Sequence, residues 1–250
     1  MRIELGNLVV LRGATRAVNG VSLTLEAGRW TGIVGANGSG KTSLLRALAG
    51  RLDAQGGAIL ADGVDRTHDR AWRAGNIGFA PDISALPQSL RGAETLAIVS
   101  PGWDAASRGG RIGELRAALD FDRFAAQRIG TLSAGMKQRL AIFLAFLNRP
   151  AAVVLDEPFT WLDPVCAWDT KQALGRLVEE EGLTLVTALH EMATLTGSCH
   201  CGILMRDRGV GLVLDAADLE AGRRDYAAFE AEMIRRLREG AAVVTTAGGA

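Results

Sequence analysis

The sequence lacks a net charge and any long apolar run. Lys plus Arg and Asp plus Glu both number 28 among 250 residues, so no overall basic field predicts a nucleic-acid partner. No apolar run approaches the roughly 18 residues that a membrane helix needs. The longest candidate, residues 140–147, lies within an amphipathic helical pattern. A membrane role would therefore require a partner chain.

The sequence also has few cysteines and no signal-peptide pattern. Residues 1–5 form a strand pattern, without the basic stretch and apolar core of a signal peptide, so we expect a cytoplasmic protein. Three cysteines do not form a disulfide framework, which fits a reducing compartment. Cys199, His200 and Cys201 resemble a metal-binding fragment, but Cys166 is the single other thiol. We interpret the cysteines as small core residues.

A glycine-rich loop between a strand pattern and a helical pattern is the first chemical motif. Residues 35–42 match the pattern G-x-x-x-x-G-K-T. They lie between an apolar run at residues 30–34 and a helical run at residues 43–52. Its glycines let the backbone wrap round phosphates, with the helix N-terminus adding partial positive charge. Lys41 is placed to reach the β- and γ-phosphates, and Thr42 to bind Mg²⁺. The predicted nucleotide contacts of this loop are Gly35, Asn37, Gly38, Ser39, Gly40, Lys41, Thr42 and Ser43.

Two carboxylates follow a second apolar run, at residues 151–155. Taken alone, this run followed by Asp-Glu-Pro is as typical of a strand that enters a turn as of a strand that ends in catalytic carboxylates. A buried strand next to a phosphate loop would instead deliver both carboxylates to the carboxyl edge of a parallel sheet. Given that loop, Asp156 is the best candidate to bind Mg²⁺ and Glu157 to polarise the attacking water.

The remaining patterns predict an α/β fold. Residues 1–30 alternate as an antiparallel sheet, and residues 88–148 have helical spacing that predicts an inserted helical subdomain. Strands alternating with helices then predict a mostly parallel core sheet. The predicted strands after the insertion are 153–155, 184–188 and 201–205. The whole would form one domain over residues 1–215.

A helical extension over residues 216–239 and a disordered tail over 240–250 are predicted after this domain. The extension carries an apolar stripe at helical spacing, formed by Tyr226, Phe229, Met233 and Leu237. This stripe could pack on the domain itself or bind a partner, and we favour packing on the domain.

The order of these motifs resembles the ATP-binding cassette (ABC) of ABC transporters, over residues 1 to about 215. Residues 132–139, Leu-Ser-Ala-Gly-Met-Lys-Gln-Arg, are similar to the L-S-G-G-Q signature of that family. Asp163 resembles its D-loop aspartate, and His190, which follows a predicted strand, resembles its switch histidine. The resemblance implies a P-loop NTPase with the ABC ATPase fold and hydrolysis of ATP with Mg²⁺.

The signature also predicts a second anion site. Ser133 and Gly135 stand where a loop becomes a helix, so a hydroxyl, backbone N–H groups and a helix N-terminus come together. The resemblance implies a head-to-tail homodimer or heterodimer in which ATP lies between one phosphate loop and the partner's signature, with Asp163 nearby. It also implies that His190 contacts the γ-phosphate and orients the water that Glu157 polarises.

Several residues depart from the family pattern. Arg12 occupies the place of the aromatic ring under adenine, so the base would rest on Arg12 or on Val18. Asp82 replaces a glutamine that contacts Mg²⁺ and the membrane partner, and it could reach Mg²⁺ through water or cap the following turn. Trp161 replaces a small residue before Asp163, where the dimer seam would pack differently.

The resemblance further implies a separate multi-span permease and a location on the cytoplasmic face of the inner (plasma) membrane. The loop at Pro81 and the signature resemble exporters of the ABC-2 type, whereas other motifs resemble haem-exporter cassettes of cytochrome c maturation. A soluble ABC-type ATPase, for example in cluster assembly, is an alternative that shares every hydrolytic residue. A degenerate regulatory module is disfavoured because Lys41, Glu157 and His190 are intact.

Overall fold

Two β-sheets and the helices around them form the computed structural model, which describes residues 1–101 and 110–246. The strands, in chain order, are β1 Ile3–Arg12, β2 Thr15–Leu25, β3 Trp30–Gly35, β4 Gly56–Ala61, β5 Val64–Asp65, β6 Ile77–Phe79, β7 Ala152–Asp156, β8 Thr184–Leu189, β9 Cys201–Arg206 and β10 Gly209–Leu214. The helices are α1 Lys41–Leu48, α2 Arg70–Asn76, α3 Gly92–Val99, α4 Gly110–Ala118, α5 Ala134–Leu144, α6 Pro164–Glu181, α7 Met192–Ser198, α8 Ala216–Arg224 and α9 Tyr226–Thr246. In these two ranges, no helix has both the length and the apolar character to cross a bilayer.

The larger sheet has the strand order β10-β9-β3-β8-β7-β6 within the described residues. Its pairs from β9 to β6 are parallel, and β10 adds an antiparallel edge. The smaller sheet, β2-β1-β4-β5, is antiparallel. The central strands β3, β8 and β7 therefore end at the same edge, which is where parallel sheets of this kind place their ligands.

Helix α1 lies in a core between the two sheets. Its buried Leu44, Leu45 and Leu48 pack with side chains of the small sheet, such as Leu5, and of the large sheet, such as Ile33. A second core covers the opposite face of the large sheet with α5, α6 and the helices around them. Burial on both sides holds the start of α1 rigidly against the end of β3, where the phosphate loop lies.

The α/β fold, its mostly parallel core sheet and its N-terminal antiparallel sheet are confirmed. The predicted strands agree with β3, β7, β8 and β9 to within one residue at each end. Helix α1, however, ends at Leu48 rather than at residue 52. The reason is Gly50, which adopts a left-handed φ of 66° and packs so closely on α2 that a side chain would collide with the Arg70 carbonyl oxygen.

The predicted helical insertion at residues 88–148 contains α3, α4 and α5, while its residues 102–109 lie outside the described ranges. At the other end of the chain, α8 and α9 occupy the predicted extension. Helix α9 continues to Thr246, past the predicted boundary at residue 239. Residues 247–250, the last of the tail predicted to be disordered, are not among the described residues. The apolar stripe packs on the domain, with Phe229 and Met233 buried in its core and Leu237 partly buried against it.

Candidate nucleotide-hydrolysis site

At two positions of the phosphate loop, a neighbouring backbone carbonyl lies too close for any residue but glycine. Gly40, the N-cap of α1, has a φ of 102°, and a side chain there would collide with the Ala17 carbonyl oxygen. A side chain on Gly35 would collide with the Met205 carbonyl oxygen of β9. No side chain caps the first turn of α1. Its N–H groups therefore remain free to bind an anion.

Polar side chains point into this loop. The Lys41 ammonium donates to the carbonyl oxygens of Gly35, at 2.6 Å, and of Ala36, at 3.3 Å. The Ser39 hydroxyl is buried without a hydrogen-bond partner. Asn37 and Gly38 are exposed at the top of the loop, with Gly38 at a φ of 80°. A buried ammonium and an unpaired hydroxyl in a glycine cradle fit a phosphate group.

The remaining members of the loop begin α1. Ser43 is buried beneath the loop, whereas Thr42 is partly exposed and lies beside the Asp156 carboxylate at the end of β7. One oxygen of Asp156, Oδ1, is buried and has no hydrogen-bond partner. Burial, with the neighbouring charge of Glu157, raises the pKa of Asp156 against the opposing effect of Thr42. A buried carboxylate oxygen left unpaired beside a threonine hydroxyl fits a Mg²⁺ ion.

Glu157 and His190 meet at the ends of neighbouring strands. His190 Nε2 lies 2.7 Å from Glu157 Oε2. Glu157 adopts a left-handed φ of 50°, and its N–H donates to the Ala188 carbonyl oxygen of β8 at 3.1 Å. Such a φ is costly for a residue with a side chain and is typical of functional sites. The pairing of β7 with β8 thus brings together two residues that stand 33 positions apart in the sequence.

A cavity of about 220 Å³ lies in front of these carboxylates. Its lining includes Thr42, Arg46, Phe79, Ala80, Pro81, Asp82, Ile83, Gln138, Asp156, Glu157, Thr160 and Trp161. Asp82 accepts from the hydroxyl and the N–H of Ser84, at 2.6 and 2.8 Å, and these bonds lower the pKa of Asp82. It therefore caps the following turn, one of its two predicted roles, while still facing the cavity.

The sequence-based predictions gave no role to three polar residues of this cavity, Arg46, Gln138 and Thr160. Arg46 stands four positions after Thr42, so both lie on the same face of α1, a spacing that could have revealed it. Its charge opposes the rise in the pKa of Asp156. Gln138 is buried within the quoted signature and donates to the Pro158 carbonyl oxygen at 3.3 Å. It links the signature helix to the turn that follows Glu157.

Ser133 and Gly135, where the signature begins helix α5, are separate from this cavity, whereas Gln138 of the same signature lines it. Ser133 is the N-cap of α5, and its hydroxyl accepts from the Met136 N–H at 3.2 Å. Gly135 packs so closely on the D-loop that a side chain would collide with the Trp161 carbonyl oxygen. Trp161 is 57% exposed. Neither Ser133 nor Gly135 belongs to the described lining of the 220 Å³ cavity.

Asp163 has its contacts within the chain. It is the N-cap of α6, accepting from the Cys166 N–H at 3.0 Å, and it forms an ion pair with Arg139 of α5 at 2.5 Å. The Cys166 N–H and the charge of Arg139 lower the pKa of Asp163. In this chain Asp163 therefore fastens the D-loop to the signature helix.

The two candidates for the adenine contact differ in exposure. Arg12 is exposed at the end of β1, where it pairs with Thr15 across the hairpin. Val18 is fully buried in the core between the sheets. Core packing leaves none of the Val18 surface exposed, so its contact with the base stays a prediction that the burial of this side chain disfavours. Arg12 remains the candidate.

The cysteine and histidine cluster is occupied by structural bonds. Cys199 is buried, the Trp30 N–H donates to His200 Nδ1 at 3.0 Å, and the Cys201 sulfur lies 3.1 Å from the Thr31 hydroxyl. Across the described residues, no three His, Cys, Asp or Glu side chains are arranged to hold a metal ion. These bonds join the start of β9 to β3.

The sequence model of the ABC transporter family matches residues 18–160, more than half of the chain. The chain belongs to the ABC transporter family of ATPases. This cassette is 34% identical to the sulfate/thiosulfate import ATP-binding protein CysA of Methylococcus capsulatus over 76% of its own length, but it spans just 56% of that protein. It is 32% identical to the phosphonates import ATP-binding protein PhnC of Ruegeria pomeroyi, over 78% of the cassette and 77% of PhnC.

Solved structures support the same assignment. The dimeric, post-hydrolysis structure of the ATP-binding cassette MJ0796 bound to ADP and Pi is 25% identical, with a TM-score of 0.75, and covers 86% of this chain and 98% of its own. As an ABC ATPase, the cassette binds ATP and hydrolyses it to ADP and phosphate. The switch, signature and carboxylate residues described above are the candidates for that chemistry.

Proposed function

We propose that the cassette is the nucleotide-binding subunit of a membrane transporter, in which ATP hydrolysis at a dimer interface drives a separate permease. The observation that carries the hydrolytic part is the 2.7 Å contact between Glu157 and His190, beside Asp156 and the phosphate loop. A carboxylate held by strained backbone and contacted by an imidazole is a suitable base for an attacking water.

Each residue around the phosphate loop and the two carboxylates has a proposed chemical role. The loop N–H groups and Lys41 bind the phosphates, and they stabilise negative charge as it develops on the transferred group. Thr42 and Asp156 would hold Mg²⁺, which would neutralise phosphate charge when bound. Glu157 accepts a proton from water, and His190 orients that water and the γ-phosphate.

The position of the signature supports a dimer. One chain carries a phosphate loop with open N–H groups and, on a different helix, the signature residues Ser133 and Gly135, which do not line the hydrolytic cavity. A head-to-tail arrangement lets each signature complete the partner's site. The dimeric structure of MJ0796 provides a precedent for two such cassettes bound together.

A groove next to the site is the proposed contact with the permease. It has a volume of about 550 Å³ and is lined by Phe79, Pro81 and Asp82, together with Val99 at the end of α3 and Leu144 of α5. Val99 is 40% exposed. The mixture of apolar side chains and flanking charges suits a short helix of a membrane subunit. Docking there would place the cassette on the cytoplasmic face of the membrane.

Two observations favour opposite directions of transport. The signature favours export, whereas CysA and PhnC both carry import in their names. Purification from detergent-solubilised membranes separates the proposals, because a co-purified multi-span protein supports a transporter and its absence supports a soluble ATPase. Vesicles reconstituted with that permease then show whether substrate leaves or enters the side that holds ATP.

The hydrolytic assignment is tested with Glu157→Gln. A neutral amide cannot accept the proton, so we expect steady-state phosphate release to fall at least roughly 100-fold while ATP binding is retained. Glu181→Gln, an exposed change at the end of α6, is the control. Phosphate release within about threefold of wild type would exclude Glu157 as the principal base.

A further inference from the structure

A short helix follows His190 in the chain. Helix α7 begins at Met192, two residues after His190, and is seven residues long. A helix of this length is not stable alone and takes its position from its packing. On its inner face, the fully buried Leu195 fills space above Gly32 and Gly202, where a side chain on either glycine would collide with it. This contact fixes the middle of α7 on strands β3 and β9.

The outer side of α7 is held by helix α8. Arg223 donates from Nε to the Thr196 carbonyl oxygen, at 2.9 Å, and from Nη2 to the Cys199 carbonyl oxygen, at 3.0 Å. Carbonyl groups in the last turn of a helix lack partners within the helix, and a guanidinium can satisfy two of them at once. Gly222 of α8 lies so close that a side chain there would collide with Thr196. Helix α8 therefore caps the end of α7 and packs against it.

Helix α9 begins close to the residues that precede α7. Burial, together with Glu230 and the charge of Glu191, raises the pKa of the Tyr226 hydroxyl. This hydroxyl donates to Glu230 of α9 at 2.9 Å. Buried Phe229 and Met233 anchor α9 in the core, so α8, which precedes it, is held against the domain at the end of α7.

We propose that helix α8 positions the switch histidine, with Arg223 holding α7 so that His190 stays within hydrogen-bond distance of Glu157. This inference rests on the proposed role of His190 in hydrolysis. The contact between His190 and Glu157 lies at the surface, where their side chains are 45% and 33% exposed, so local packing of this pair does not fix it. The support comes instead from α7, which is held by Leu195 on its inner face and by Arg223 on its outer side. Arg223 is a positioning residue, since it does not touch the 220 Å³ cavity as described.

The first test compares two neighbouring arginines. Arg223→Gln removes both bonds to α7, and we expect kcat to fall roughly three- to tenfold, as for a misplaced catalytic group, with the KM for ATP unchanged. Arg223→Lys, which keeps one cationic donor near the last turn, should recover part of this loss. Arg224→Gln is the matched control, because Arg224 bonds to Glu220 as Arg223 does but is 76% exposed. A kcat for Arg223→Gln equal to that of Arg224→Gln would overturn the proposal.

The second test asks whether Arg223 acts through His190. In a His190→Ala background, Arg223→Gln should cause no further loss of kcat, because the group it positions is absent. Loss of the same factor in both backgrounds would show a merely structural effect and overturn the proposal. Thermal unfolding of each variant identifies any general loss of stability. If His190→Ala alone hydrolyses ATP like wild type, the proposed role of His190 fails; if it is impaired while Arg223→Gln is not, this inference alone fails.

Discussion

Two helix N-termini in the cassette are suited to phosphate, but they satisfy their backbone groups in opposite ways. Helix α1 starts at a left-handed Gly40 with no side-chain cap, and buried polar atoms of Ser39 and Asp156 nearby have no partner. Helix α5 starts at Ser133, whose hydroxyl already accepts from its own first turn. The nearby Asp163 is paired with Arg139.

This difference separates a preformed site from one that must exchange bonds. The half around α1 leaves donors and acceptors that a phosphate and a cation would satisfy, so binding there costs little rearrangement. In the half around α5, the Ser133 hydroxyl and the Asp163 carboxylate already have partners within the single chain. In the proposed dimer, this half would contribute by turning its N–H groups and hydroxyl toward a nucleotide carried by the other copy. The same contrast predicts which substitutions complement each other.

The largest expected effect is the loss and recovery of hydrolysis when variants of the two halves are mixed. Lys41→Ala removes the cation on the phosphates, and Ser133→Asp keeps a good N-cap but places an anion against the nucleotide. We expect each variant alone to lose hydrolysis roughly 100-fold. An equal mixture should recover about a quarter of wild-type activity, because half the dimers are mixed and each contains one intact site. Phosphate release from the mixture measures this recovery.

The control for that experiment mixes two variants of the same half. Lys41→Ala and Glu157→Gln both damage the site that contains the phosphate loop of their own chain, so every site in every dimer is defective. No recovery is expected from this mixture. Recovery here, or none in the first mixture, would contradict the assignment of Ser133 to the partner's nucleotide.

A smaller effect is expected on stability, from the unsatisfied carboxylate of the α1 half. Burial raises the pKa of Asp156, so the folded chain binds its proton more tightly than the unfolded chain. Stability therefore falls as pH rises from the ordinary carboxyl pKa to the raised one, and the loss persists at pH 7. We expect Asp156→Asn without nucleotide to be more stable than wild type at pH 7. The difference should shrink as pH falls through the raised pKa.

Asp163 in the α5 half is the control, and its sign is opposite. Its pKa is lowered by the Cys166 N–H and by Arg139, so its charge favours the folded state above the ordinary carboxyl pKa. Asp163→Asn should therefore reduce stability at pH 7. Thermal unfolding at pH 7 and pH 5 distinguishes the two variants. A destabilised Asp156→Asn would mean that its charge is already compensated within the chain.

The contrast between the halves also explains how much could be predicted from the sequence. The phosphate loop and the carboxylates after β7 were predictable, because glycine spacing and an apolar strand determine them locally. The burial of Val18 was not, since it depends on packing between distant segments. The cap that Asp82 forms on Ser84 is local, and it was one of the two roles predicted for Asp82. The bonds from Arg223 of α8 to the end of α7 were also missed. An apolar stripe indicates that a helix packs, but not which surface it packs on.

The smallest expected effect concerns Arg12, which lies at the hairpin tip. A guanidinium plane can stack on adenine, but Arg12 is exposed, so its contribution should be near the lower end of the range for such contacts. We expect Arg12→Ala to weaken ATP binding by about 0.5 to 1 kcal/mol. Hydrolysis at saturating ATP should hardly change, because the contact is equal in the ground and transition states. Competition between ATP and a fluorescent analogue measures the affinity.

Two further variants sharpen this test of the base contact. Arg12→Tyr should restore or improve ATP affinity, since a ring stacks on adenine without the cost of desolvating a cation. Arg16→Ala is the matched control, because Arg16 is an exposed arginine of the same hairpin that bonds to Asn19 at 3.2 Å. Unchanged affinity in both Arg12 variants would mean that the base is held elsewhere. A loss of affinity confined to Arg16→Ala would place the adenine contact on the second strand of the hairpin.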